Sequence, residues 1–231
     1  MLLLAFGCEK ERRMQPEEIK AIVHREIDEI WNRGNLEAAD EIINRNYVLR
    51  EAADEIMGVD SFKVFARDFR TAFPNAQFKI DDVIVEGDKA VVRYTFKGKQ
   101  GGDFAGILSP GKEAIATGIR LSRVADGRLQ ETWNYMDKLS ILVQLEWWVP
   151  PEDWRLAYEW GGSMPRVIEK TNDLDENRKL ARRGLEELWN TGDLAIAEEV
   201  YSQDFVNHDI THRQFGDLES YKKYVSVIHA N

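Results

Sequence analysis

The residues best suited to chemistry close a strand-like run, Trp133-Asn134-Tyr135-Met136-Asp137. In an extended chain side chains alternate, so Trp133, Tyr135 and Asp137 share one face. A carboxylate set among aromatic surface loses water, which raises its pKa toward that of a useful general base. The same Asp137 fits a second role. A helical pattern starts at Lys138, and an acidic residue just before a helix caps its open N–H groups. Arg120 lies mid-strand in "GIRLSRVADG". It either pairs with Asp137 or holds an anionic substrate group, or else it faces solvent or a neighbouring sheet. A direct pair would depress the Asp137 pKa and turn the site from catalysis toward binding.

Other reactive residue types are sparse. His24 and His229 read as surface positions on helices. His208, Asp209 and His212 resemble a metal cluster by type, but "NHDITHRQFG" reads as strand or loop, where a four-residue spacing does not align ligands. No metal site is expected. The chain carries no Gly-rich phosphate loop, nucleophile elbow or dinucleotide fingerprint. Its 41 acidic against 31 basic residues, net −10 and spread along the chain, argue against a grip on nucleic-acid phosphates. No apolar run approaches the roughly 20 residues of a membrane span. One cysteine rules out an intrachain disulfide. That Cys8 ends "MLLLAFGC", which reads either as an ordinary N-terminus of a cytoplasmic protein or as the remnant of a lipoprotein signal in the cell envelope.

The elements that must position these residues follow from periodicity. Residues 1–15 form a tail. Ile19, Ile22, Val23, Ile27, Ile30 and Trp31 recur at helical spacing, with Pro16 in the first turn and Gly34 at the left-handed stop. Asn35 stands as N-cap of a second helix whose Ala38, Ala39, Ile42 and Ile43 face inward. Phe62, Phe65, Phe69 and Ala72 write a third helix, ending before Pro74. After it, "QFKIDDVIVEGD", "KAVVRYTFKG", "EAIATGIRLSRVADG" and "RLQETWNYMD" read as four strands of an antiparallel meander, and "KLSILVQLEWW" as a closing helix. Residues 16–148 are thus an α+β domain.

The chain also repeats itself. Over 25–43 against 183–201, eight of nineteen positions are identical, among them Trp31/Trp189, Asn32/Asn190 and Gly34/Gly192. An internal repeat is the better account. Residues 149–166 read as a linker and 167–231 as a second domain with its helices and no strands. Three one-sided helices cannot bury their stripes alone. Two readings follow: a two-domain protein cut inside its second domain, or a half-domain packed on a partner.

Helices followed by a curved antiparallel sheet is the plan of the nuclear-transport-factor-2-like cone. "GKQGGDFAGILSPGK" (98–112), "GIRLSRVADGRLQETW" (118–133) and "DKLSILVQLEW" (137–147) together resemble the SnoaL-like polyketide cyclase and ester cyclase family, over about residues 17–147. The resemblance implies a cone of three helices on a curved sheet, followed here by the helical half of a second copy. It implies an Asp, here Asp137, that moves a proton beside a carbonyl and drives an intramolecular aldol closure, with no metal or organic cofactor. Trp133, Tyr135, Phe104, Gln100 and Arg120 would shape a pocket for a small hydrophobic ligand. Gln100 stands where the family has His, Leu108-Ser109-Pro110-Gly111 where it has Pro-Pro-Thr-Gly, and Gln144-Leu145-Glu146 where it has Gln-Leu-Gly. The family's Phe-x-x-His-Asp appears as Phe205 to Asp209 in the second copy, while Leu49, Arg50 and Glu51 align with it in the first. His208 and Asp209 are therefore the second copy's candidates. The alternative is a non-catalytic binding or assembly module on the same cone, with copies packed sheet on sheet as an internal pseudo-dimer or a homodimer.

Overall fold

The computed structural model describes residues 14–51, 54–104, 106, 111–147, 174–202, 205 and 217–229. Cys8, the 149–166 linker, His208, Asp209 and His212 lie outside them. The chain divides into two compact units, Met1–Val149 and Pro150–Asn231.

The first unit opens with α1 (Pro16–Arg25), which runs directly into a wider, π-type segment, Glu26–Asn32. Gly34 stops it with φ +73°. The Arg70 guanidinium then closes the end, with Nη1 donating to the Trp31 and Asn32 carbonyls at 2.5 and 3.1 Å. Leu36–Ala38 and α2 (Ala39–Ile42) follow as barely two turns, and the Asn35 side chain makes no cap hydrogen bond. Strand β1 (Ile43–Glu51) and β2 (Asp54–Met57) come next, then α3 (Val59–Ala72). The expected meander is β3 (Gln77–Glu86), β4 (Lys89–Lys99), β5 (Glu113–Ala125) and β6 (Arg128–Met136), closed by α4 (Lys138–Gln144).

The sheet has six strands in the order β2-β1-β6-β5-β4-β3, with β1 parallel to β6 and every other pair antiparallel. This corrects the four-stranded expectation. In β1 only Ile43, Tyr47, Leu49 and Glu51 are buried, and asparagines and arginines interrupt the alternation that marks a strand. The core lies between the helices and the sheet, around Trp31, whose ring meets Phe62, Phe65 and Phe69 edge-on at 5.7–6.0 Å.

One irregularity decides which side chains face that core. On β6 both Leu129 and Thr132 are buried, three positions apart, and the register with β5 shifts between Arg123 and Val124. Strict alternation counted from Leu129 would send residues 133, 135 and 137 inward. The extra residue near Gln130 reverses the phase and sends Thr132, Asn134 and Met136 inward instead.

Among the described residues, the second unit has α5 (Leu174–Arg183), a π-type Gly184–Asn190, Leu194–Ile196, α6 (Ala197–Val200) and α7 (Leu218–His229). Its small core gathers Leu188, Ala197, Leu218, Tyr221 and Val225. Local geometry follows the sequence repeat. Gly192 has φ +74°, and Arg183 bridges Glu187 and Glu199 as Arg25 bridges Glu29 and Glu41.

Candidate functional site

Between helices and sheet lies a cavity of about 570 Å³. Its apolar wall is Trp31, Phe65, Phe69, Phe78, Phe104, Met136 and Leu142, and its polar groups are Glu51, Tyr94, Arg120, Asn134 and Lys138, with Asp68, Thr71 and Asp103. Small residues on the inner face of β5 let the Tyr94 ring lie against the sheet and reach the cavity. Ala114, Ala116 and Gly118 precede Arg120 at every second position, and a Cβ at Gly118 would meet the Tyr94 hydroxyl and ring carbon at 2.3 Å.

Two ion pairs with buried carboxylates involve residues of this wall: Glu26–Arg120, buried on both sides, and Glu51–Lys138, whose lysine is 46% exposed. Glu26, 1% exposed, accepts from Trp31 Nε1 at 2.8 Å and from Arg120 Nη2 at 2.7 Å. The π-type turn makes the first bond possible, because it brings residues five apart onto one side. Glu51, 5% exposed, accepts from Asn134 Nδ2 at 2.5 Å and from Lys138 Nζ at 2.9 Å. The Tyr94 hydroxyl donates to Asn134 Oδ1 at 2.9 Å, so Tyr94, Asn134, Glu51 and Lys138 form one chain of hydrogen bonds. Burial pushes the Tyr94 pKa up, and its O–H therefore stays a donor at neutral pH. Burial alone would lower the Arg120 pKa, but the neighbouring Glu26, with Tyr47, Tyr94 and Glu51, raises it and keeps the guanidinium charged.

The residues expected from sequence distribute unevenly. Phe104 and Arg120 line the cavity. Arg120 is neither solvated nor paired with Asp137, since its partner is Glu26. Trp133 and Tyr135 are corrected to the outer face by the β6 phase reversal. Tyr135 is 64% exposed, and Trp133 lies under the Arg50 guanidinium at 4.9 Å. Gln100 is buried but outside the cavity, its backbone paired with Lys112 and Gly111. Asp137 is half-buried and absent from the cavity wall. Its Oδ1 accepts from Ser140 N at 2.9 Å, the helix-cap role, so it does not look into the hollow. Sequence reasoning missed Glu26, Glu51, Asn134 and Lys138. One signal was present for Glu51, which occupies the place of Asp209 in the repeat.

Burial raises the Asp137 pKa, against the pull of its two bonds from Ser140. The folded state therefore holds its proton more tightly than the unfolded chain, and stability falls as pH rises through the acid range between the two values. Asp137→Asn keeps an acceptor at the cap and removes that penalty, so it is expected to be neutral or slightly stabilising at pH 7. Asp137→Ala should cost about 1 kcal/mol. Urea denaturation at pH 4 and pH 7 measures both.

Comparison with known proteins agrees with this architecture. The family model of SnoaL-like polyketide cyclases matches residues 21–145. The aklanonic acid methyl ester cyclase DnrD of Streptomyces peucetius is 26% identical over 137 residues, covering 57% of this chain and 94% of that protein. The structure of TsrD from Streptomyces laurentii superposes with a TM-score of 0.53 at 26% identity, covering 57% of this chain and 97% of TsrD. A protein of Acidithiobacillus ferrooxidans, provisionally named a polyketide cyclase, gives 0.53 at 28% identity over 58% of this chain and 99% of its own.

Proposed function

The chain belongs to the SnoaL-like polyketide cyclase family, and we propose that it is a cyclase-type enzyme removing a proton beside the carbonyl of a small hydrophobic substrate. The observation that carries this reading is Glu51, a carboxylate buried in the wall of a largely apolar cavity and held there by Asn134 and Lys138. A base needs such a place: fixed in direction, shielded from water and beside the space a substrate fills. Glu51 takes the acid/base role that sequence reasoning gave to Asp137. Tyr94 and Asn134 fix its orientation, and Phe69, Phe78 and Phe104 clasp the apolar body. The carbanion formed would close on a second carbonyl of the same molecule, as an aldol step requires. No metal ligand enters this scheme.

The test needs no natural substrate. In D2O the protein should exchange the α-protons of 1-tetralone, a bicyclic ketone, faster than buffer alone, as followed by proton NMR. Exchange indistinguishable from buffer sinks the reading. Loss of exchange in Asp137→Asn with Glu51→Gln unaffected would return the role to the cap residue.

One observation favours a second reading, a non-catalytic binding module. Both buried carboxylates already have cationic partners, which occupy oxygens that a base would offer to a substrate. Saturable binding of 1-tetralone without exchange would select it.

The outer sheet face leaves Ile84, Ile115, Ile119 and Tyr135 exposed. A homodimer, or pairing with the sheet of a second domain, would cover it. Ile119→Arg should then shift sedimentation to the smaller species, and an unchanged profile removes this partner. Residues 167–231 would supply the helices of that second domain, a reading supported by the ion pairs of Arg183.

A further inference from the structure

Arg120 is a large cation placed where a cavity of this kind has no evident need of one. Its 5% exposure and its place in the wall mean that burial had to be compensated, and Glu26 does so. Yet the compensation uses one nitrogen. Among the described residues Nη2 donates to Glu26. Nε is enclosed by protein and does not open on the cavity, which leaves the terminal nitrogens of the fork as the donors that can reach it. The Tyr47 hydroxyl is enclosed beside the same guanidinium: burial pushes its pKa up, and the neighbouring Arg120 charge pulls against that push. The Trp31 ring, 5.6 Å from the guanidinium carbon, and its Nε1–H bond to Glu26 fix the pair from the other side. A buried guanidinium with donors to spare costs stability unless something in the cavity accepts from it.

We propose that Arg120 is a catalytic residue whose remaining N–H donors stabilise the oxygen of the substrate carbonyl as it becomes an enolate, with Glu26 as its positioning residue. This rests on the cyclase-type reading. Glu26 holds the Arg120 guanidinium in one direction, and Lys138 is matched by Glu51. Such a cavity holds oriented donors for an oxygen that turns negative during the reaction. The step balances: Glu51 takes the α-proton, the C–H electron pair forms the enolate π bond, and the carbonyl π pair moves onto the oxygen facing Arg120.

The probe is 2-naphthol, whose neutral and ionised forms absorb at different wavelengths. Bound to the unmodified protein it should ionise at least 1 pH unit lower than in buffer, and Arg120→Lys, which keeps the charge but loses the fork, should reverse most of that shift. Arg120→Lys should also lower kcat for tetralone exchange about 10- to 100-fold with KM little changed. If Arg120→Lys does not fold, the uncharged pair Glu26→Gln/Arg120→Gln serves, judged by the same readouts. The proposal is overturned by bound 2-naphthol that ionises as in buffer, or by the same midpoint in the variants. It is equally overturned if 2-naphthol fails to bind while tetralone exchange proceeds. No exchange in the unmodified protein, with the naphthol shift intact, counts against the cyclase reading and leaves Arg120 an oxygen-binding residue.

Discussion

Glu51→Gln is expected to lower α-proton exchange at least 100-fold while leaving the fold intact. Removing a positioned general base typically costs 10²- to 10⁴-fold in rate. The upper part of that range applies where water cannot substitute, and a residue 5% exposed in an apolar cavity meets that condition. Glutamine preserves size, and its one carbonyl oxygen can still accept from Asn134 or from Lys138, so one of the bonds at 2.5 and 2.9 Å survives. The half-exposed Lys138 can turn to water for the other, and the capacity to take a proton disappears. The loss should therefore appear in kcat with KM nearly constant, the signature of an interaction used in the transition state. Circular dichroism and a melting curve close to those of the unmodified protein would exclude a folding defect. A variant that keeps more than a tenth of the exchange rate would deny Glu51 the role.

How much of this was legible in the residues depends on what fixes each feature. The helices 16–32 and 59–72 and the four strands from Gln77 to Met136 rest on sustained periodicity, which needs no tertiary context. β1 does not. Its sequence "INRNYVLRE" places polar residues at half its positions, and its pairing partner β6 lies some 80 residues away. The identity of the site turns on one further detail, the extra residue near Gln130. Alternation correctly grouped Trp133 with Tyr135, but only the register of β6 against β5 says which face they occupy. A one-residue bulge moved the aromatic pair outside and brought Asn134 in. Buried charge was the other blind spot. Glu26 sits among helix-surface charges in "HREIDEIW", and nothing in the one-dimensional pattern singles it out from Glu29, which is paired on the surface with Arg25. The repeat even masks it, because its counterpart in the second unit is Gly184, beside which the Tyr201 hydroxyl would lie 3.3 Å from an added Cβ. The helical frame is thus common to both segments, whereas the buried acid that holds Arg120 is confined to the first.

That confinement makes Glu26 the residue whose loss should harm folding most. Glu26→Ala removes both acceptor bonds at once and leaves Arg120 charged, 5% exposed and without a counter-ion. Breaking a buried pair by deleting one partner costs about 3–5 kcal/mol, because the orphaned ion pays its desolvation with nothing in return. A domain of this size has only about 5–15 kcal/mol in total, so the midpoint of urea unfolding should fall by a large fraction. The cost must come from the stranded charge and not from lost packing alone, and a double-mutant cycle separates the two. The cycle uses Glu26→Leu, Arg120→Met and the two together: in the double no ion remains, so it is expected to be more stable than Glu26→Leu by at least about 2 kcal/mol, as replacement of a whole buried pair by apolar residues is often neutral. Additive losses would mean that the two side chains do not support each other. The oxygen-binding role of Arg120 would then lose its structural basis, since a guanidinium not held by Glu26 has no fixed direction in which to offer its donors.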